Sequence, residues 1–242
     1  MTPDDVQVLE NVLKDTPTDG FTRRTLLRRA AATAAVASIA APAEAIAQSS
    51  SSMVTQIIDT AITAEALAVT YLTGLIEHAK ATGVTKFADV LKAANAAEYD
   101  HYKALKSLGA TPVTTKFWAP DAFFKPGEPF KVLELAETLF VDAYLIGATT
   151  FAQAGKAPLA RYAGEIGGVE AQHLALVRFA QKKLPDDRAF QAYTIKSISG
   201  IVAALEKAGI GFGKPGKKPG KFYPFSPPPA RALTTIQNNT PK

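Results

Sequence analysis

Two short runs in this chain of 242 residues have the types and spacing of metal ligands: Glu98-x-x-His101 and Glu170-x-x-His173. Each places a carboxylate and an imidazole three residues apart, so in a helix both project from one side, one turn apart. Glu65 precedes Glu98 by 33 residues, and Glu137 precedes Glu170 by the same interval. The second set is the first shifted by 72 positions, an internal two-fold repeat of one helix-pair unit. Four carboxylates and two imidazoles form a hard oxygen and nitrogen donor set, suited to iron(II), manganese or zinc. With 3 histidines in the chain, histidine chemistry is confined to His78, His101 and His173. With 0 cysteines, disulfides, thiolate metal sites, iron–sulfur clusters and cysteine nucleophiles are excluded.

The elements that must position these residues read as helices. Val54 to Lys80 carries Ile58, Ile62, Glu65, Val69, Leu72 and Ile76 on one face, and Gly83 follows as a stop. Lys86 to Leu108 carries Leu91, Ala94, Glu98, His101 and Leu105, and Gly109 ends it. Phe130 to Gln153 carries Leu133, Glu137, Val141, Tyr144 and Phe151; Ala157 to Lys183 carries Ala163, Ile166, Glu170, His173 and Val177. A shorter fifth helix is expected from Arg188 to Ala208. Short turns join the first helix to the second and the third to the fourth, which makes each pair antiparallel neighbours. Between the pairs, Ala110 to Pro129 holds four prolines and cannot be helical throughout. It is long enough to cross from one end of a bundle to the other, with Phe117, Trp118, Phe123 and Phe124 packing on the bundle surface. The tail from Gly209 to Lys242, rich in Gly, Pro and Lys, reads as a loop or extended arm.

Each of the four stripes carries a glutamate where the pattern assigns the core. Burying an ionised carboxylate costs several kcal/mol unless a cation meets it. The stripes hold no lysine or arginine, so a metal centre is the simplest partner. The competing reading is a helical bundle that keeps polar residues in its core, or whose glutamates lie at an open end. Glu134, one turn before Glu137, is the other candidate ligand on that helix, but it turns away from Val141 and Tyr144. Tyr144 faces the same core and is placed either to pack there or to hydrogen-bond a ligand. Tyr71, Tyr99 and Tyr102 read as packed tyrosines beside the stripes. Asp100 and Asp142 read as surface residues, with orientation of a ligand histidine as the other role. His78, beside Glu77, reads as a cation at a helix end.

The N-terminal segment is an address. Thr22-Arg23-Arg24-Thr25-Leu26-Leu27-Arg28 precedes an alanine-rich run and an Ala45-Ile46-Ala47 cleavage site, the order of an export signal with paired arginines. The chain then divides into a twin-arginine signal (1–47), a helical domain (48–208) and a basic tail (209–242). The expected location is periplasmic or at the cell surface, with the twin-arginine translocation machinery as a partner. No stretch after residue 50 is a membrane span by hydropathy. A net charge of +5 is too modest to suggest a nucleic-acid partner.

The paired Glu and Glu-x-x-His sets, over about Val54 to Lys183, resemble the ferritin-like superfamily of di-iron and di-manganese carboxylate proteins. The export signal, the size and the Pro/aromatic crossover are most similar to the exported ferritin-like family that includes bacterial desiccation-related proteins. The resemblance implies an all-α, ferritin-like four-helix bundle with a long crossover between helices 2 and 3. It implies two iron ions, or manganese, with Glu98 and Glu170 bridging them and Glu65, His101, Glu137 and His173 as terminal ligands. It further implies oxidation of iron(II), or reduction or dismutation of peroxide, with O₂, peroxide or metal ions as small substrates. A manganese catalase and a non-enzymatic, stress-protective protein are the rival functions, and a homo-oligomer is left open. Lacking cysteine, the chain has no rubredoxin-type electron-delivery domain of the kind found in rubrerythrin-like relatives, and nothing in it suggests an iron-storage shell.

Overall fold

The structure, a computed structural model, describes residues 43–228, with side chains from residue 52. The described residues from Ser49 onward belong to one compact unit. Arg23 and Arg24 of the expected export signal lie outside the described residues, as does the tail beyond residue 228.

The described part is mostly helical. Its α-helices are α1 (Ala43–Glu77), α2 (Ala79–Thr82), α3 (Ala88–Ser107), α4 (Pro129–Gln153), α5 (Ala157–Ala180) and α6 (Ile198–Ala208). The strands are β1 (Lys116–Pro120), β2 (Gly211–Phe212) and β3 (Gly220–Pro224), and single 3₁₀ turns cover Thr85–Phe87 and Asp121–Phe124. The helix expected to end at Lys80 stops at Glu77. The short α2 then closes on Gly83, whose φ of 78° only glycine adopts without strain. Helix α4 opens with Pro129 in its first turn, where the missing N–H costs nothing.

Helices α1, α3, α4 and α5 bury their apolar stripes against one another. Ile62, Leu72 and Leu75 of α1, Leu91 of α3, Leu133 and Phe140 of α4 and Val177 of α5 belong to one buried cluster. A smaller cluster gathers Val54, Ile57, Tyr144, Phe151, Ala163 and Ile166. Among the described residues no helix is long and apolar enough to cross a membrane.

Two expectations require correction. The fifth helix begins at Ile198, not Arg188. The carboxylate of Asp142 accepts hydrogen bonds from the Thr194 amide (3.3 Å), the Thr194 hydroxyl (2.9 Å) and the Ile195 amide (3.0 Å). Those bonds hold the segment before α6 away from helix, and Ser197 caps α6 by accepting from the Gly200 amide. Within the stretch after Gly209, expected as a loop or arm, Gly211–Phe212 and Gly220–Pro224 form strands β2 and β3. The sheet order is β2-β1-β3, both pairings antiparallel. The tail therefore grips the crossover, pairing Phe117 with both Phe212 and Tyr223. The glycines of this region permit the fit: a Cβ at Gly220 would stand 2.2 Å from the Ala119 carbonyl oxygen. Of the crossover aromatics, Phe117, Phe123 and Phe124 join the buried cluster of the helices, while Trp118 packs edge-on against Phe222 of β3 and donates its indole N–H to the Lys218 carbonyl at 3.0 Å. Phe123 and Phe124 meet Tyr71 of α1 edge-on, and the Tyr71 hydroxyl donates to the Phe123 carbonyl at 2.9 Å.

Candidate metal centre

Six side chains predicted from spacing converge between the four long helices. Helix α1 supplies Glu65, α3 supplies Glu98 and His101, α4 supplies Glu137, and α5 supplies Glu170 and His173. All are buried except His101, whose side chain keeps 11% of its surface exposed. They fall into two groups, Glu65, Glu98, His101 and Glu170, and Glu98, Glu137, Glu170 and His173. Within each group one ligand-type atom per residue lies within 4.8 Å of all the others, so each can hold a metal ion. Glu98 and Glu170 belong to both groups.

The side chains face one another at short range. His101 Nδ1 lies 3.1 Å from Glu170 Oε1, 3.3 Å from Glu98 Oε2 and 3.5 Å from Glu65 Oε2. His173 Nδ1 lies 2.9 Å from Glu98 Oε1, 3.6 Å from Glu170 Oε2 and 4.0 Å from Glu137 Oε2. Several buried atoms aimed inward have no hydrogen-bond partner of proper geometry: Glu65 Oε2, Glu98 Oε1, Glu137 Oε2, both Glu170 oxygens and His173 Nδ1. Orphaned buried acceptors are rare in folded proteins, and a cluster of them calls for a common cation. The donor set therefore fits a hard divalent metal.

Electrostatics shows how the cluster balances itself with protons alone. Burial, reinforced by the neighbouring Glu98, pushes Glu65 well above its ordinary range; burial and the neighbouring Glu170 do the same to Glu137. Burial also opposes ionisation of Glu98 and Glu170, yet the adjacent imidazoles outweigh it and hold both below the ordinary range. Burial works against charging His101 and His173, but the carboxylates around them raise both. Two carboxylates, two carboxylic acids and two imidazoliums sum to zero, the neutral arrangement a buried site demands.

Tyr144 joins the site from α4: its hydroxyl donates to Glu65 Oε1. Burial, reinforced by the acidic groups beside it, raises the phenol well above its usual range, which keeps it a donor. Glu134, the alternative on the same helix, lies outside the cluster and pairs with Arg178 at 3.2 Å and with Lys183. His78 and Glu77 are exposed at the end of α1. Tyr99 and Tyr102 stack on each other and against Phe225 of the tail. Asp100 pairs with Lys103. Asp142, expected at the surface, is fully buried and holds the segment before α6 rather than a ligand histidine. Sequence reading missed Asn95, buried on α3 one turn before Glu98, whose amide donates to Thr73 of α1 at 3.0 Å. Its signal was an Asn on the ligand-bearing helix, with no periodic apolar partner to mark it.

A small cavity borders the cluster. It measures about 30 Å³, and its lining includes Phe87, Val90, Leu91 and Leu176 together with Glu137 and His173. Val90 and Leu176 are 42% and 48% exposed, which puts its mouth on the surface between α3 and α5.

Comparison with protein-family models, with curated proteins and with solved structures finds no match for this chain.

Proposed function

We propose that this chain is an exported, ferritin-like oxidoreductase whose four-helix bundle holds a dinuclear iron or manganese centre, and that it removes peroxide in the cell envelope. The observation that carries the reading is the pair of overlapping ligand groups sharing Glu98 and Glu170. Those two glutamates would bridge the ions. Glu65 with His101, and Glu137 with His173, would complete the two ends. When bound, the paired ions supply two-electron redox chemistry at one place. The protein's own part is to bind, orient and exclude. Tyr144 fixes Glu65 by a hydrogen bond. Beside Glu137 and His173 the small cavity is lined by apolar side chains such as Phe87, Val90, Leu91 and Leu176. A small uncharged substrate, hydrogen peroxide or O₂, suits an apolar lining of that size better than a hydrated iron(II) ion. Dismutation, in which two peroxide molecules become two water molecules and O₂, balances without an outside electron donor. Export rests on Arg23 and Arg24 and the small-residue site at Ala45-Ile46-Ala47.

The test is elemental analysis of the protein purified from the envelope fraction of its own cells. About two iron or manganese ions per chain are expected. Glu98→Ala and Glu170→Ala should each lose at least one of them and all peroxide turnover. Folded protein free of metal, or variants with wild-type metal content, would overturn the centre; protein found only in the cytoplasm would overturn export.

A further inference from the structure

One cavity among the described residues is lined by none of the six candidate ligands. It measures about 140 Å³ and is walled by all four long helices, α6 and β2. Ile57 and Ala61 of α1, Phe140 and Gly147 of α4, and Leu205 of α6 are among its wall residues. It separates the two buried clusters: Phe140 and Leu205 belong to the larger, Ile57 and Phe151 to the smaller. Close-packed interiors leave few voids larger than one water molecule, so a gap of this size between two parts of one core is not ordinary packing slack. Water gains nothing there, because a buried water needs two to four polar partners and this wall offers almost none. Dry apolar cavities of about 150 Å³ take up benzene-sized molecules. Val113, on the segment between α3 and β1, borders the cavity and is 76% exposed.

We propose that this cavity is a binding site for a small uncharged apolar molecule, a single aromatic ring or an alkyl chain of about six carbons. Its wall meets the metal centre at one residue. The Tyr144 ring faces the cavity, and its hydroxyl donates to Glu65. An occupant therefore lies one side chain from the candidate ligands, in a cavity distinct from the small one lined by Glu137 and His173. The site stands on its own volume and lining and does not depend on which metal, if any, the protein carries.

The probe is benzene, titrated into the full chain and followed by calorimetry and by melting temperature. Saturable binding with a rise in melting temperature is expected, while benzoate should not bind, since no cationic side chain lines the wall to pair its charge. Ala61→Leu fills the space and should weaken benzene binding at least tenfold with the melting temperature kept or raised. Gly147→Ala is the milder variant. An added Cβ there would sit 3.4 Å from Phe151, 3.6 Å from Ile57 and 3.7 Å from Ala163, ordinary contacts that leave the fold intact while trimming the cavity. It should weaken binding several-fold and decides the matter if Ala61→Leu does not fold. No saturable binding to the wild-type chain, benzoate binding as well as benzene, or equal benzene affinity in a folded filled variant would each overturn the proposal.

Discussion

At the scale of the residue, the centre is a charge-balance problem with two solutions. Without metal, protons on Glu65, Glu137, His101 and His173 offset one another's neighbours and leave the cluster neutral. With two divalent ions, the same cluster is neutral when all four carboxylates are ionised and both imidazoles are uncharged. Moving between the two states exchanges four protons for two dications. Loading the metal-free protein at a pH where those groups are still protonated should therefore release about four protons per two ions. Calorimetric titration in buffers of different ionisation enthalpy measures that number directly. Release near zero would mean that the groups are not the ligands or were not protonated. The identity of the six residues was legible in the sequence because helical spacing fixes which side chains share a face, and the 33-residue repeat tied the two halves together. Tyr144 was legible as a core-facing residue, but its hydrogen bond to Glu65 was only one of two roles, because it depends on how far apart α1 and α4 settle. The protonation pattern was not legible at all: it follows from burial and mutual distances that spacing along a chain does not set.

At the scale of the element, the four long helices were readable from periodicity, while the structure that closes around them was not. The tail's Gly, Pro and Lys residues resemble a loop because its strands are short and its glycines answer to close backbone approach, such as Gly220 against Ala119. The partner strand, Lys116–Pro120, lies about a hundred positions earlier and ends in proline, so neither half signals the other. Asp142 escaped for a related reason. An aspartate on a helix normally marks a solvated face, yet here its partners are the Thr194 and Ile195 amides and the Thr194 hydroxyl, which leave no pattern in the sequence. Hydrogen bonds to a charged acceptor contribute about 1.5–3 kcal/mol, and a buried donor left unpaired costs a similar amount. Asp142→Ala should lower the unfolding free energy by about 2–4 kcal/mol on that basis. It should also make residues 188–197 the first site of limited proteolysis while leaving metal content unchanged. Chemical denaturation, protease mapping and elemental analysis test the three parts separately. A variant as stable as wild type would mean that the segment before α6 holds its course without the carboxylate.

At the scale of the whole molecule, the cluster joins four helices from two halves of the chain at one point, so a metal held there would link its occupancy to global stability. A ligand that binds only the folded state adds about 2.7 kcal/mol at a hundred-fold excess over its dissociation constant. At about 2–4 °C per kcal/mol for a chain of this size, chelation should lower the melting temperature by roughly 5–10 °C. It should not unfold the protein, because protons neutralise the empty cluster and the apolar core remains. The sign with pH follows from the same groups. Glu65 and Glu137 sit above their ordinary value of 4.5, and His101 and His173 above their ordinary 6.5. The folded metal-free chain therefore binds more protons than the unfolded chain, and the stability these groups contribute is lost as pH rises through their raised values. Loss begins above about pH 4.5 for the carboxyl groups and above about pH 6.5 for the imidazoles. Glu98 and Glu170, held low, act in the opposite direction, and their contribution disappears only below about pH 4.5. Metal binding removes the very protons whose loss weakens the empty protein, so its affinity climbs over the same range. The gap in melting temperature between metal-loaded and chelated protein should accordingly widen from pH 5 to pH 8. Paired melting curves across that range read it, and a gap that stays constant or narrows would show that the proton-for-metal exchange does not couple this cluster to the fold.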